Sequence, residues 1–203
     1  LYPRMEQLAR DHERSAERSR ILRDMHDGVG SHISTAIRQL QNGKASPDDM
    51  MHTLRDALDQ LKLSIDAMHL PPGDVGALLA NMRYRLESRI LACGIEVQWD
   101  VEDLDPIARL DTNAMGQLQF MLFEAFSNVL QHAHATMLRV VAVPLGPRNQ
   151  GLQLQIIDNG VGYDSHAPMR SGLRSMQNRA QAIGVALHLS SEPGRSVVEI
   201  RAS

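Results

Sequence analysis

Four stretches of this sequence bring together side chains that could do chemistry. The first is Arg23-Asp24-Met25-His26-Asp27-Gly28-Val29-Gly30. A neutral imidazole has one free nitrogen lone pair, and a neighbouring carboxylate can hold the other ring N–H. His26 is therefore a candidate nucleophile and Asp27 its orienting base. Taken alone, a His-Asp pair on a helix surface is more often solvated decoration. Gly28 and Gly30 are unusual beside it, because each costs about 1 kcal/mol in a helix interior relative to Ala. They point to close backbone approach or local flexibility. The second stretch carries Glu124, Asn128 and His132, spaced by four and so stacked along one face of a helix. A carboxylate and an amide oxygen suit Mg²⁺, which keeps several waters and accepts one or two protein oxygens plus nucleotide phosphates. A plain solvent face is the alternative, but Phe120, Leu122, Phe123, Phe126, Val129 and Leu130 make the segment strongly apolar, so a polar line there needs a reason. His132 and His134, two apart, would diverge on a helix and do not form a convincing zinc pair.

In the third stretch, Ile156-Ile157-Asp158-Asn159-Gly160-Val161-Gly162, an apolar strand delivers a carboxylate and two glycines. A buried carboxylate can accept from an exocyclic amine such as that of adenine, and the glycines let backbone approach a flat ring or a phosphate. For one Asp-Asn-Gly a hairpin turn is the commoner meaning. The fourth, Ser171-Gly172-Leu173-Arg174, opens a helix whose free N–H groups favour anions.

The elements that must hold these residues follow from periodicity. From about residue 4 to Gln41 there is no proline, and Leu22, Met25, Val29, Ile33, Ala36 and Leu40 recur at spacings of three and four, which predicts a long amphipathic helix with His26 beside its apolar stripe. Asn42 to Pro47 reads as a turn, with Ser46 as N-cap and Pro47 in the first helical position. Met51, Leu54, Leu58, Leu61, Ile65 and Met68 then form the seam of a second helix, ended by Pro71 and Pro72. Such a hairpin has too little core to stand alone, so the economical answer is a two-fold dimer forming a four-helix bundle. A boundary falls near residues 70–74, separating a hairpin at 1–70 from a second domain at 71–203. In the second domain the pattern predicts helices at 75–93, 112–132 and 173–183. Strands are predicted at 95–101, 137–143, 152–158, 186–190 and 196–201, with a loop at 159–171. This order suggests an α+β unit, its sheet covered on one face by helices.

The chain has 203 residues and is 43% hydrophobic, enough for these two units. With 21 Lys plus Arg against 24 Asp plus Glu, it has no broad positive excess of the kind that binds nucleic acid. The single Cys93 fits a reducing compartment, the cytosol, and is expected to be a small buried apolar residue. No run of about 18 apolar residues is present. The chain opens at Leu1 on a polar helical segment, so upstream domains are expected.

Taken in order, these stretches resemble the sensor histidine kinases of two-component systems, most closely the nitrate-sensor and desaturase-sensor subfamily, from about Glu17 onward. Glu17 to Gly30 resembles the phosphoacceptor helix, which makes His26 the phosphorylated residue and Asp27 its acidic partner. Glu124 to His132 resembles the asparagine box. By that resemblance Asn128 ligates Mg²⁺, with Glu124 and His132 near metal and phosphates. Asp158, Gly160 and Gly162 resemble the first glycine box, with Asp158 reading adenine. Gly172, Leu173 and Arg174, followed by Met176, Arg179 and Gly184, resemble the second box and its helix. Glu192 to Ser196 resembles the last box, with Ser196 where threonine is usual. The implied fold is a dimeric helical hairpin followed by the α/β sandwich ATPase domain shared with Hsp90 chaperones and type II topoisomerases. The implied activity is ATP-dependent autophosphorylation of His26 and transfer to an aspartate of a response-regulator receiver. A membrane anchor outside this chain is implied by analogy. Two positions depart from the subfamily: Gln131 stands where Lys is frequent, and Ser31 where Gln or His serves dephosphorylation. The rival readings are an ATP-binding switch that phosphorylates serine, like anti-sigma-factor kinases, and a degenerate dimerisation scaffold.

Overall fold

The computed structural model describes residues 2–43, 46–146, 150–162 and 171–203. It divides into two compact units, Leu1–Met68 and His69–Ser203. The first is a hairpin of α1 (Tyr2–Gln41) and α2 (Pro47–Ala67). Residues 44–45 of the expected turn lie outside the described residues. The start of α2 is set by a capping box: Ser46 Oγ accepts from the Asp49 N–H at 3.1 Å, and the Asp49 carboxylate accepts from the Ser46 N–H at 3.2 Å. With Pro47 in the first turn, this satisfies donors that the helix itself cannot.

On α1, Met25 and Ala36 are buried, and Thr53 of α2 donates to Gln39 Oε1 at 3.3 Å. Of the rest of the predicted stripes, Val29, Leu61 and Met68 are half-buried and the others are open. Met51, Leu54, Leu58 and Ile65 on α2 are 45–50% exposed, and Leu22, Ile33, Ile37 and Leu40 on α1 are similarly open. Eight large apolar side chains in water along one hairpin are far more than scattered surface residues require.

The second unit runs α3 (Val75–Ala92), β1 (Glu96–Val101), α4 (Thr112–His132), β2 (Met137–Leu145), β3 (Gly151–Asp158), α5 (Ser171–Ile183), β4 (Ala186–Glu192) and β5 (Arg195–Ala202). The sheet order is β1-β2-β3-β5-β4, with β1 and β2 parallel and the other neighbours antiparallel. Alternation puts Leu138, Val140, Ala142, Leu152, Leu154 and Ile156 on one buried face. The helices supply Leu78, Met82, Leu86 and Ile90 from α3, Met115, Leu118, Leu122 and Phe126 from α4, and Met176 and Ala180 from α5. The opposite face carries polar pairs across strands among apolar residues such as Ile157 and Val197: Arg139 Nε with Asp100 at 2.5 Å, and Gln155 Nε2 with Glu199 at 2.6 Å. Among the described residues no helix is long and apolar enough to cross a membrane.

Two expectations change. Cys93 is exposed, not buried, because α3 ends there; Gly94, at φ +76°, turns the chain away before the buried face can continue past Ile90. Asp158-Asn159-Gly160 is not a hairpin turn. The antiparallel neighbours of β3 are β2 and β5, and the chain after it leads to α5.

Candidate functional site

Asp158 reaches its place because β3 pairs on both sides and ends there, opposite Leu138 on β2 and Ser196 on β5. Its Oδ1 accepts the Gly160 N–H at 2.8 Å. The side chain is buried, and desolvation raises its carboxyl pKa, opposed by the Gly160 hydrogen bond. Helix α4 starts at Asp111, whose carboxylate accepts from the Ala114 N–H at 2.8 Å. Its strongly apolar side is in the core, which leaves Glu124 and Asn128 half-buried and His132 exposed.

These parts meet at a partly open cleft. Asn128, His132, Asp158, Gly162, Leu173 and Ser196 line it, with apolar walls from Ala125, Val129, Ile156 and Val198. Glu124, Gly160 and Gly172 are not among its lining residues. A β-carbon on Gly172 would collide with the Glu124 carboxylate, and one on Gly160 with the backbone of Ala133. The first obstacle is a flexible side chain that can swing aside and the second is backbone, so Gly160 is the glycine that packing of the cleft's own scaffold requires. His26 and Asp27 lie on α1 of the other unit, and both are exposed. Residues 163–170 of the expected loop at 159–171 lie outside the described residues. A β-carbon on Gly30 would meet nothing within 4 Å, so close backbone approach does not explain that glycine among the described residues.

Asn159 was not singled out by the sequence, yet it pins the loop that carries the glycines. Its Oδ1 accepts from the N–H groups of Thr136 and Met137, both at 2.9 Å, and its Nδ2 donates to Thr136 Oγ1 at 2.9 Å. Val161 N–H donates to Ala133 O at 2.8 Å, and Gly194 N–H to Gly160 O at 2.9 Å. Together they tie the segment after β3 to the end of α4, the start of β2 and the turn between β4 and β5. Arg179 does the same for α5, stacking 4.2 Å over Phe120 and bonding Gln117 Oε1 at 2.5 Å.

The donor set fits a nucleotide with its cation. Asp158 has an oxygen beyond the one that Gly160 holds, suited to an amine. Asn128 presents an amide with no hydrogen-bond partner among the described residues. No group of three or more His, Cys, Asp or Glu that could hold a metal occurs among the described residues. A lone amide oxygen suits a cation that arrives with phosphates.

Residues 17–74 match a family model described as histidine kinase. The sensor histidine kinase LiaS of Bacillus subtilis is 28% identical over 92% of this chain, which covers 54% of LiaS. The chain thus spans about half the length of the curated relatives it matches. Among solved structures, the histidine kinase domain of the Erythrobacter litoralis EL346 blue-light activated kinase superposes with a TM-score of 0.57 at 15% identity, covering 88% of this chain and 94% of that one. Full-length ShkA in complex with AMPPNP gives 0.54 at 19% identity, covering 91% of this chain and 45% of that one.

Proposed function

We propose that this chain, whose residues 17–74 belong to the histidine kinase family, uses ATP to phosphorylate His26 and passes the phosphoryl group to an aspartate of a response-regulator receiver. The observation that carries the reading is the meeting of Asn128, His132, Asp158, Gly162, Leu173 and Ser196, from four separate stretches of sequence, on one cleft. The nucleotide complex described for ShkA supports the same reading. Asp158 takes the adenine amine on its carboxylate, and the apolar walls from Ala125, Val129 and Ile156 cover the ring. Asn128 holds Mg²⁺ through its amide oxygen, and His132 faces the phosphate end. When bound, Mg²⁺ and ATP supply the transferable phosphoryl group and neutralise its charge.

His26 offers Nε2 as nucleophile while Asp27 holds the Nδ1–H, so catalysis is positioning together with charge neutralisation. The new bond joins Nε2 to phosphorus as the bond to the β-phosphate oxygen breaks and ADP leaves. His26 then gives the group to the receiver carboxylate. A second copy of the chain covers the open apolar seams of α1 and α2, making the four-helix bundle on which His26 is presented. The test is incubation with γ-labelled ATP. The label should be acid-labile and base-stable, and should move to a receiver aspartate on chase. An acid-stable label would indicate a serine or threonine ester and end the reading.

A further inference from the structure

Behind the cleft a second hydroxyl meets Ser196. Ser191 on β4 and Ser196 on β5 are register partners with their Oγ atoms 3.0 Å apart, and Ser196 is in turn the register partner of Asp158 on β3. The three side chains thus form one row across three strands. Asp158 and Ser196 line the cleft and are both 8% exposed, while Ser191 stands behind them, half-buried. A β-carbon on Gly162 would come within 2.7 Å of Ser191 Oγ, so the glycine leaves room for that hydroxyl.

An ionised carboxylate only accepts, whereas a serine hydroxyl donates one proton and accepts in other directions. Left to itself, Ser196 could turn either a proton or a lone pair toward a ligand. Either hydroxyl can be the donor in this pair; in the arrangement where Ser191 donates to Ser196 Oγ, the Ser196 proton is left for the cleft. The row then presents an acceptor at Asp158 beside a donor at Ser196. Adenine offers the complement, the N6 amine beside the bare N1 nitrogen; guanine reverses it, with O6 beside N1–H.

We infer, on the nucleotide reading of the cleft given above, that Ser191 is a positioning residue: it fixes the direction of the Ser196 O–H and so sets the preference for adenine over guanine nucleotides. It acts on the ligand through Ser196 and does not itself line the cleft.

The experiment is calorimetric titration of the 203-residue chain and its variants with ATP and with GTP. Ser191→Ala should weaken ATP about fivefold, the worth of one neutral hydrogen bond, and leave GTP unchanged or tighter, narrowing the ATP:GTP ratio. In a Ser196→Ala background the same substitution should change nothing, and Ser191→Thr, which keeps the hydroxyl, should preserve the wild-type ratio. A purely structural defect would instead weaken both nucleotides alike. The inference is overturned if Ser191→Ala binds ATP as wild type does, weakens ATP and GTP equally, or loses the same factor without the Ser196 hydroxyl. If the wild-type chain binds no ATP, the reading of the cleft falls too.

Discussion

Substituting Gly160 by Ala should damage both the stability of the second unit and its nucleotide site. The added β-carbon would run into the Ala133 carbonyl oxygen and lie 2.7 Å from the Ala133 Cβ and 2.8 Å from its carbonyl carbon. The obstacle is mainly backbone, so no side chain can swing aside. Relief requires the β3 end to part from the α4 end, stretching the Val161 N–H bond to Ala133 and the Gly194 N–H bond to Gly160. Overpacking costs about 1–3 kcal/mol. A weakened hydrogen bond adds about 1 kcal/mol, for a sum of about 2–4 kcal/mol. At roughly 2.1 cal/mol/K per residue, a unit of about 135 residues loses roughly 7–14 °C in Tm. Because Gly160 N–H is also the donor to Asp158, ATP affinity should fall with it. Scanning calorimetry of the full chain reads the first effect and ATP titration the second. Gly116→Ala is the control: a β-carbon there meets nothing within 4 Å, so the substitution should be neutral or stabilising by up to about 1 kcal/mol. A Gly160→Ala protein that melts and binds ATP as wild type does would refute the packing argument.

Other consequences follow from the same geometry. Burial raises the Asp158 pKa above its unfolded value near 3.8. The folded state therefore binds that proton more tightly, so its stabilising contribution is full below the unfolded pKa and is lost as pH rises through the folded one. Asp158→Asn keeps an acceptor for Gly160 and removes the buried charge, so its Tm should exceed wild type at pH 7, with the gain vanishing toward pH 3, while ATP binding is lost; a lower Tm at pH 7 contradicts this. Gly30→Ala should stabilise α1 by about 1 kcal/mol, seen as a higher helix melting temperature, since nothing within 4 Å obstructs the methyl; destabilisation would reveal a close approach within the dimer. Leu58→Glu, on the 49% exposed seam of α2, should convert a dimer to monomers in sedimentation equilibrium, because burying an unpaired charge costs several kcal/mol; a wild-type monomer would refute the bundle.

Local physics was legible in advance. The three-and-four spacing placed both hairpin helices, and Ser46 with Pro47 marked the start of α2, because caps and amphipathic stripes depend on residues close in sequence. Asp158 stood out only in the ordered company of the other three stretches, because an Asp-Asn-Gly by itself more often marks a hairpin turn. The strand order was not legible: β5 inserts between β3 and β4, and β1 joins β2 in parallel, through pairings that form only on folding. Asn159 and Ser191 were missed for the same reason. Each looks like ordinary loop or edge chemistry until Thr136 or Ser196 is brought against it. The requirement for Gly160 was read as access for a ligand, whereas the neighbour that excludes a side chain is Ala133.

The most direct test compares wild type with His26→Gln after confirming that both bind ATP with the same affinity. Incubated with γ-labelled ATP, the wild-type chain should carry acid-labile phosphate that mass spectrometry at neutral pH assigns to residue 26, and the variant should carry none. Equal labelling of the variant would show that the phosphoryl group resides elsewhere and would contradict the account at its centre.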